Sequence, residues 1–176
     1  MKKTVLQSTL GALIAVSFSV SAYQDISQED AFYTVMDYEN AFIIDVRTDA
    51  EWEWVGHPGE NRSGFGAFLE GKVINESWKV YHNKNFVDNP QFISDINFLF
   101  KHNKDAILIT MCRSGVRSIA AAEALDAAGY TNVYNMINGF EGDRDADGYR
   151  TVNGWKVEGF PYTTGRGDKY DVDRND

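Results

Sequence analysis

Two stretches of the chain are apolar at almost every consecutive position, Ala41-Phe42-Ile43-Ile44-Asp45-Val46 and Ala106-Ile107-Leu108-Ile109-Thr110-Met111. A strand with one face in water alternates apolar and polar residues, so runs of this kind need cover on both faces, typically helices packed on either side of a parallel sheet. The neighbouring sequence supplies helices. Ser27-Gln28-Glu29-Asp30 sets a capping hydroxyl three residues before an acid and opens a helix through about Asp37, with Ala31, Val35 and Met36 as apolar positions. Thr48-Asp49-Ala50-Glu51 repeats that signature and predicts a short helix through Trp54, stopped by Gly56, Pro58 and Gly59. Asn89-Pro90 begins a third helix on which Phe92, Ile93, Ile96, Phe98, Leu99 and Phe100 form a broad apolar face, with a basic end between Lys101 and Lys104. An alanine-rich helix runs from Ser118 or slightly earlier to Ala128, closed by Gly129, and residues 72–75 and 132–136 read as further short strands. This alternation predicts an α/β domain: a central parallel β-sheet flanked by helices on both faces.

Residues 60–71, rich in glycine and poor in aliphatics, read as a surface loop or insertion. At the start of the chain, Lys2 and Lys3 precede an apolar stretch that ends in Val20-Ser21-Ala22, a small-residue cleavage pattern. The stretch is short for a span of about 20 residues and is diluted by polar side chains, so a signal peptide over 1–22 is expected rather than an anchor. The remaining 154 residues suit one domain over 23–164, followed by an acidic tail at 165–176 with little to bury. Export, with the periplasm as the compartment, and no membrane association after cleavage are the corresponding expectations. Loss of Lys2 and Lys3 takes the formal net charge from −9 to −11, which argues against nucleic acid as a partner.

The chain has a single cysteine, Cys112. Alone, such a residue reads as a small buried apolar group. Its neighbours change that reading. Cys112 directly follows the second apolar run, and Arg113-Ser114-Gly115-Val116-Arg117-Ser118 lead into the alanine-rich helix. In a strand–loop–helix turn, unpaired backbone N–H groups and the helix dipole converge on one point and form an anion cradle. Gly115 permits the curvature, while Arg113 and Arg117 add two cations. A thiolate is the reactive form of cysteine, and surroundings of this kind favour it. His57, His82 and His102 are scattered and read as solvated surface residues, so neither a cysteine–histidine pair nor a zinc site is indicated, and no cofactor is expected.

Cys112-Arg113-Ser114-Gly115-Val116-Arg117-Ser118 resembles the active-site loop of the rhodanese family. Ile44-Asp45-Val46-Arg47-Thr48, Gly56-His57-Pro58-Gly59 and the stretch from Asn132 to Gly142 resemble three further signatures of that family. The resemblance implies a sulfurtransferase. A small anionic sulfur donor, thiosulfate or a persulfide, would leave sulfur on Cys112 as a persulfide, and cyanide or a thiol acceptor would take it away. It also implies that the backbone amides from Arg113 through Ser114, Gly115, Val116 and Arg117 to Ser118 bind substrate, that the Arg117 side chain shapes the loop, and that Asp45 and Arg47 support it. Arg113 is the candidate for reading the charged end of the donor. Two departures stand out: the His-Pro-Gly turn is one residue short, and Asn138-Gly139-Phe140 replaces a paired glycine.

Rival readings are a sulfur carrier or persulfide-sensing module without turnover, and an arsenate reductase or phosphatase on the same fold. The loop from Cys112 through Arg117 has six residues, the length that the resemblance associates with sulfurtransferases rather than with the phosphatase-like relatives. Asp143, Asp145 and Asp147, with Gly148 sixth, match the opening of a calcium loop, but Gly154 stands where a bidentate glutamate would be needed. Trp155 is expected in the core or in a pocket wall, and residues 60–71 and 155–162 are expected to wall the sulfur site.

Overall fold

The computed structural model describes residues 23–165. The expected signal peptide at 1–22 and all but the first residue of the expected tail lie outside the described residues. In chain order the elements are β1 (Gln24–Ile26), α1 (Gln28–Asp37), β2 (Ala41–Asp45), a π-helical turn (Glu51–Val55), β3 (His57–Pro58), a 3-10 turn (Ala67–Leu69) and β4 (Val73–Asn75). They continue with β5 (Lys79–His82), β6 (Asn85–Asp88), α2 (Phe92–Leu99), β7 (Ile107–Met111), α3 (Arg117–Ala127), β8 (Asn132–Met136) and β9 (Tyr162–Thr163).

Five strands form one parallel sheet in the order β1-β8-β7-β2-β4. The two apolar runs are its central pair, with Ile43 opposite Ile109 and Asp45 opposite Met111. Consecutive side chains of these strands enter different cores, as period-two geometry requires. Ile44 and Leu108 pack with Phe92, Ile96, Ala121, Ala122 and Leu125 from α2 and α3. Ile43, Ile109 and Met111 pack on the other face with Ala31, Phe32 and Val35 from α1, together with Phe140 and Trp155. The predicted α/β architecture is therefore the observed one. Among the described residues, no helix is long and apolar enough to cross a membrane.

Local expectations fare unevenly. Ser27 caps α1 as predicted, its hydroxyl accepting from the Asp30 amide at 3.0 Å. Thr48 and Glu51 form the second reciprocal cap, but the turn that follows is π-helical rather than α-helical. On α2 the apolar face is narrower than its sequence suggests, because Phe98 is 69% exposed. Residues 60–71 are not merely a surface loop: Leu69 is buried, and the rings of Phe65 and Phe68 meet Phe32 at tilted and edge-on angles, so the segment closes the α1 side of the core. The β5–β6 hairpin has no counterpart in the sequence reading. It turns at Asn83 and Lys84, both with positive φ, which is the backbone a two-residue hairpin needs.

Candidate functional site

Cys112 leaves the C-terminal end of β7 and lies at the floor of the loop that runs to α3 at Arg117. It is 1% exposed and is the free cysteine of the described residues. The loop is clamped from behind by the chain after β8: the amides of Phe140 and Glu141 donate to the carbonyls of Cys112 and Arg113 at 2.8 and 2.9 Å. Such close packing of two backbones leaves no room for side chains. A Cβ on Gly115 would meet the Asn138 nitrogen at 2.9 Å, and one on Gly139 would meet the Cys112 carbonyl oxygen at 2.3 Å; both glycines also have positive φ. Asn138, where the sequence departs from a paired glycine, has φ +60°. Asparagine is among the few side chains that tolerate this conformation, so the departure preserves the turn.

The six residues from Cys112 to Arg117 thus connect the centre of a parallel sheet to a helix N-terminus. Residues 29–146 match the rhodanese-like domain family. The chain belongs to the rhodanese-like family. An uncharacterized protein of Rickettsia conorii is 37% identical over 139 residues, covering 79% of this chain and 96% of that protein. The crystal structure of Rv0390 from M. tuberculosis is 35% identical, covers 81% of this chain and 99% of its own, and superposes with a TM-score of 0.66. Thiosulfate sulfurtransferase GlpE of Actinobacillus succinogenes is 26% identical over 148 residues, covering 84% of this chain and 97% of that protein.

Within this rhodanese-like domain the predicted loop residues adopt different stances. Arg117 is engaged by Glu51, donating from Nη1 to Oε2 at 2.9 Å and from Nη2 to Oε1 at 3.0 Å. Burial alone would raise the Glu51 carboxyl, but the bonds from Arg117 and Thr48 outweigh it and hold the group at about 2. The Arg113 side chain is 40% exposed, with Nε 3.4 Å from Glu141 and 3.7 Å from Glu51. These loose contacts leave it able to turn toward a ligand. Val116 is 73% exposed, and Gly115 and Ser118 are buried while Ser114 is half-buried. Ser118 Oγ lies 3.4 Å from Cys112 Sγ and 2.6 Å from Asn135 Oδ1.

Asp45 and Arg47 form a fully buried ion pair at 2.6 Å. Burial opposes the Arg47 charge, and Asp45 more than restores it, so the guanidinium is held more firmly protonated than usual. Arg47 also donates to the Gly56 carbonyl at 2.7 Å and lies 4.2 Å from the centre of the Phe140 ring. The pair reaches the sulfur loop through Phe140, whose amide holds the Cys112 carbonyl.

Two expectations change. A cavity of about 360 Å³ beside the loop is lined by Thr48, Glu51, Lys79, Phe86, Arg113 and Arg117. Its outer wall is the hairpin, not residues 60–71 or 155–162. His57 is not a solvated surface residue: it is 5% exposed and stacks on Trp52 at 3.5 Å, and burial lowers it from its ordinary range. Its wall of a second cavity, about 330 Å³, contains none of residues 112–118. At the calcium-like stretch, Asp145 accepts from the amides of Asp147 and Tyr149 and from the Thr151 hydroxyl, so the acid serves the turn itself. Among the described residues, no group of three or more His, Cys, Asp or Glu could hold a metal ion. Trp155 meets its expectation, fully buried with Nε1 donating to the Pro161 carbonyl at 2.9 Å.

The sequence reading missed Glu51 as a site residue, although its cap with Thr48 was visible, and missed Lys79, Phe86 and Asn135. Val80-Tyr81 and Phe86-Val87 around Asn83 carried a hairpin signal. Nothing local in the sequence places that hairpin over the loop.

Proposed function

We propose that this protein is a sulfurtransferase that carries sulfane sulfur on Cys112. The observation that supports this most is the position of Cys112, alone at the floor of a six-residue strand–loop–helix turn flanked by Arg113 and a cavity. With thiosulfate as donor, the Cys112 thiolate attacks the outer sulfur, a new S–S bond forms, and the old S–S bond breaks as sulfite leaves with the electron pair. In this reading the amides of the loop stabilise the anionic sulfur, and Arg113 binds the charged end of the donor. Cyanide or a thiolate then attacks the outer sulfur, and the S–S bond electrons return to Cys112. No redox partner or cofactor is required for that exchange.

The engaged fork of Arg117 speaks against oxyanion chemistry of the phosphatase or arsenate reductase kind, which would need that arginine to wrap its ligand. A carrier or sensor would form the same persulfide but release it to no small acceptor. Intact mass after incubation with thiosulfate tests the proposal: a gain of about 32 Da, one sulfur, is expected for the native chain and not for Cys112→Ser. Addition of cyanide should then remove the mass and yield thiocyanate. Retention of the sulfur under cyanide would favour the carrier reading, and no gain from thiosulfate or a persulfide would end the sulfur-transfer reading.

Export is part of the same proposal, supported by Lys2, Lys3 and the Val20-Ser21-Ala22 pattern. N-terminal sequencing of protein from the periplasmic fraction should begin at Tyr23.

A further inference from the structure

A chain of hydrogen bonds runs from the sulfur to the edge of the sheet. Asp25 on β1 lies in register with Asn135 on β8. Asn135 is buried and donates from Nδ2 to Asp25 Oδ1 at 2.8 Å, while its Oδ1 lies 2.6 Å from Ser118 Oγ. Ser118 is also buried, and its oxygen lies 3.4 Å from Cys112 Sγ.

The Ser118 hydroxyl is placed to donate to either the sulfur or Asn135 Oδ1, and the rest of the chain decides which. A carboxylate accepts and cannot donate, so the Asn135 amide turns its NH₂ toward Asp25. That leaves the amide oxygen toward Ser118, where it too can only accept. The hydroxyl has one proton, and the shorter, stronger bond takes it. Toward the sulfur, Ser118 then presents a lone pair.

We propose that Asp25, acting through Asn135, sets the direction of the Ser118 hydroxyl and so holds a hydrogen-bond acceptor, not a donor, against the Cys112 sulfur. Asp25 and Asn135 are positioning residues in this arrangement, and neither touches substrate. An acceptor there can take a hydrogen bond from a thiol and has none to give to an anionic sulfur. When the sulfur becomes anionic, the hydroxyl has to turn toward it, leaving the buried Asn135 oxygen without its donor. Asp25 therefore restrains the nucleophile from outside the matched family stretch, at an exposed position on an edge strand. The inference rests on Cys112 being the reacting sulfur.

Asp25→Asn supplies a side chain that can donate, which frees the Asn135 amide to turn over and the Ser118 hydroxyl to face the sulfur. The rate of Cys112 alkylation by iodoacetamide at pH 7, followed by intact mass, should rise roughly three- to tenfold, the worth of one redirected hydrogen bond. Asp25→Glu keeps a carboxylate and should leave the rate unchanged. In a Ser118→Ala background the Asp25→Asn gain should vanish, and in Ser118→Thr, which retains a hydroxyl, it should return. An unchanged rate in Asp25→Asn overturns the proposal. So does an equal gain in Ser118→Ala, since that would be the lost charge acting through space. Alkylation needs no sulfur donor, so its outcome is separate from that of the thiosulfate experiment: failure of either leaves the other readable.

Discussion

Glu51 and Arg117 meet fork to fork, with one guanidinium arm on each carboxylate oxygen, at 2.9 and 3.0 Å. One residue opens α3 and the other opens the π-helical turn after β2, so this pair ties the start of the sulfur loop's helix to a neighbouring strand connection. The Glu51 side chain is 15% exposed, which keeps the pair out of the class of solvent-screened surface bridges.

The pair should make stability depend on pH. The folded Glu51 carboxyl is held at about 2, below its ordinary 4.5, so its stabilisation is complete above about 4.5 and is lost as pH falls through about 2. After allowance for screening, the contribution is on the order of 2 kcal/mol. Urea unfolding of the native chain and of Glu51→Gln at pH 7 and pH 3 should show the variant less stable at pH 7, with a smaller drop on acidification. Parallel pH curves for the two would show that the pair contributes no linkage.

Gly139→Ala should be severe, because Gly139 packs against the backbone of Cys112. The added methyl would meet the Cys112 carbonyl oxygen at 2.3 Å, and the backbone there has φ +57°. Both effects push the loop off its clamp, at an expected cost of about 2–4 kcal/mol, and thiosulfate-dependent mass gain should fall more than tenfold. Asn138→Gly, by contrast, should change stability by less than about 1 kcal/mol, because asparagine already tolerates the conformation. Chemical denaturation of the two variants distinguishes a strained turn from general sensitivity of the segment.

The central architecture was legible because Ile43, Ile44, Leu108 and Ile109 sit in consecutive apolar positions, a pattern with few structural solutions. Cys112 and its loop were legible because a strand end, a glycine and a helix start fall within a few residues. Other parts were not. β1 is three residues long with two of them exposed, and it is a strand through its pairing with β8 rather than through an apolar pattern of its own, so neither the strand nor the contact of Asp25 with Asn135 could be read locally. His57 was read as solvated because its burial depends on Trp52 across a tight turn. The wall of the cavity beside the loop depends on where the hairpin packs, which no local periodicity encodes.

That wall should govern substrate preference. Phe86 is 61% exposed, and Lys79 forms an ion pair with the exposed Asp88 at 2.5 Å. Phe86→Ala should therefore leave stability within about 0.5 kcal/mol. If the cavity receives the acceptor, KM for a bulky thiol should rise several-fold while cyanide, too small to reach the ring, is unaffected. Equal effects on both acceptors would place Phe86 outside the acceptor path.

The buried pair of Asp45 and Arg47 separates loop support from stability. Asp45→Asn leaves a guanidinium with its charge uncompensated in the core, at an expected cost of about 3–5 kcal/mol. Replacing both residues with apolar ones, Asp45→Val with Arg47→Met, removes the charges together and should recover most of that loss. The double variant would still lack the Arg47 bond to the Gly56 carbonyl and the cation over Phe140, whose amide holds Cys112. Its thiosulfate-dependent activity should therefore stay well below the native level even where urea unfolding shows a recovered fold. Activity that returned together with stability would mean that the pair serves the core alone, and that the loop takes its position from the glycines and backbone bonds behind it.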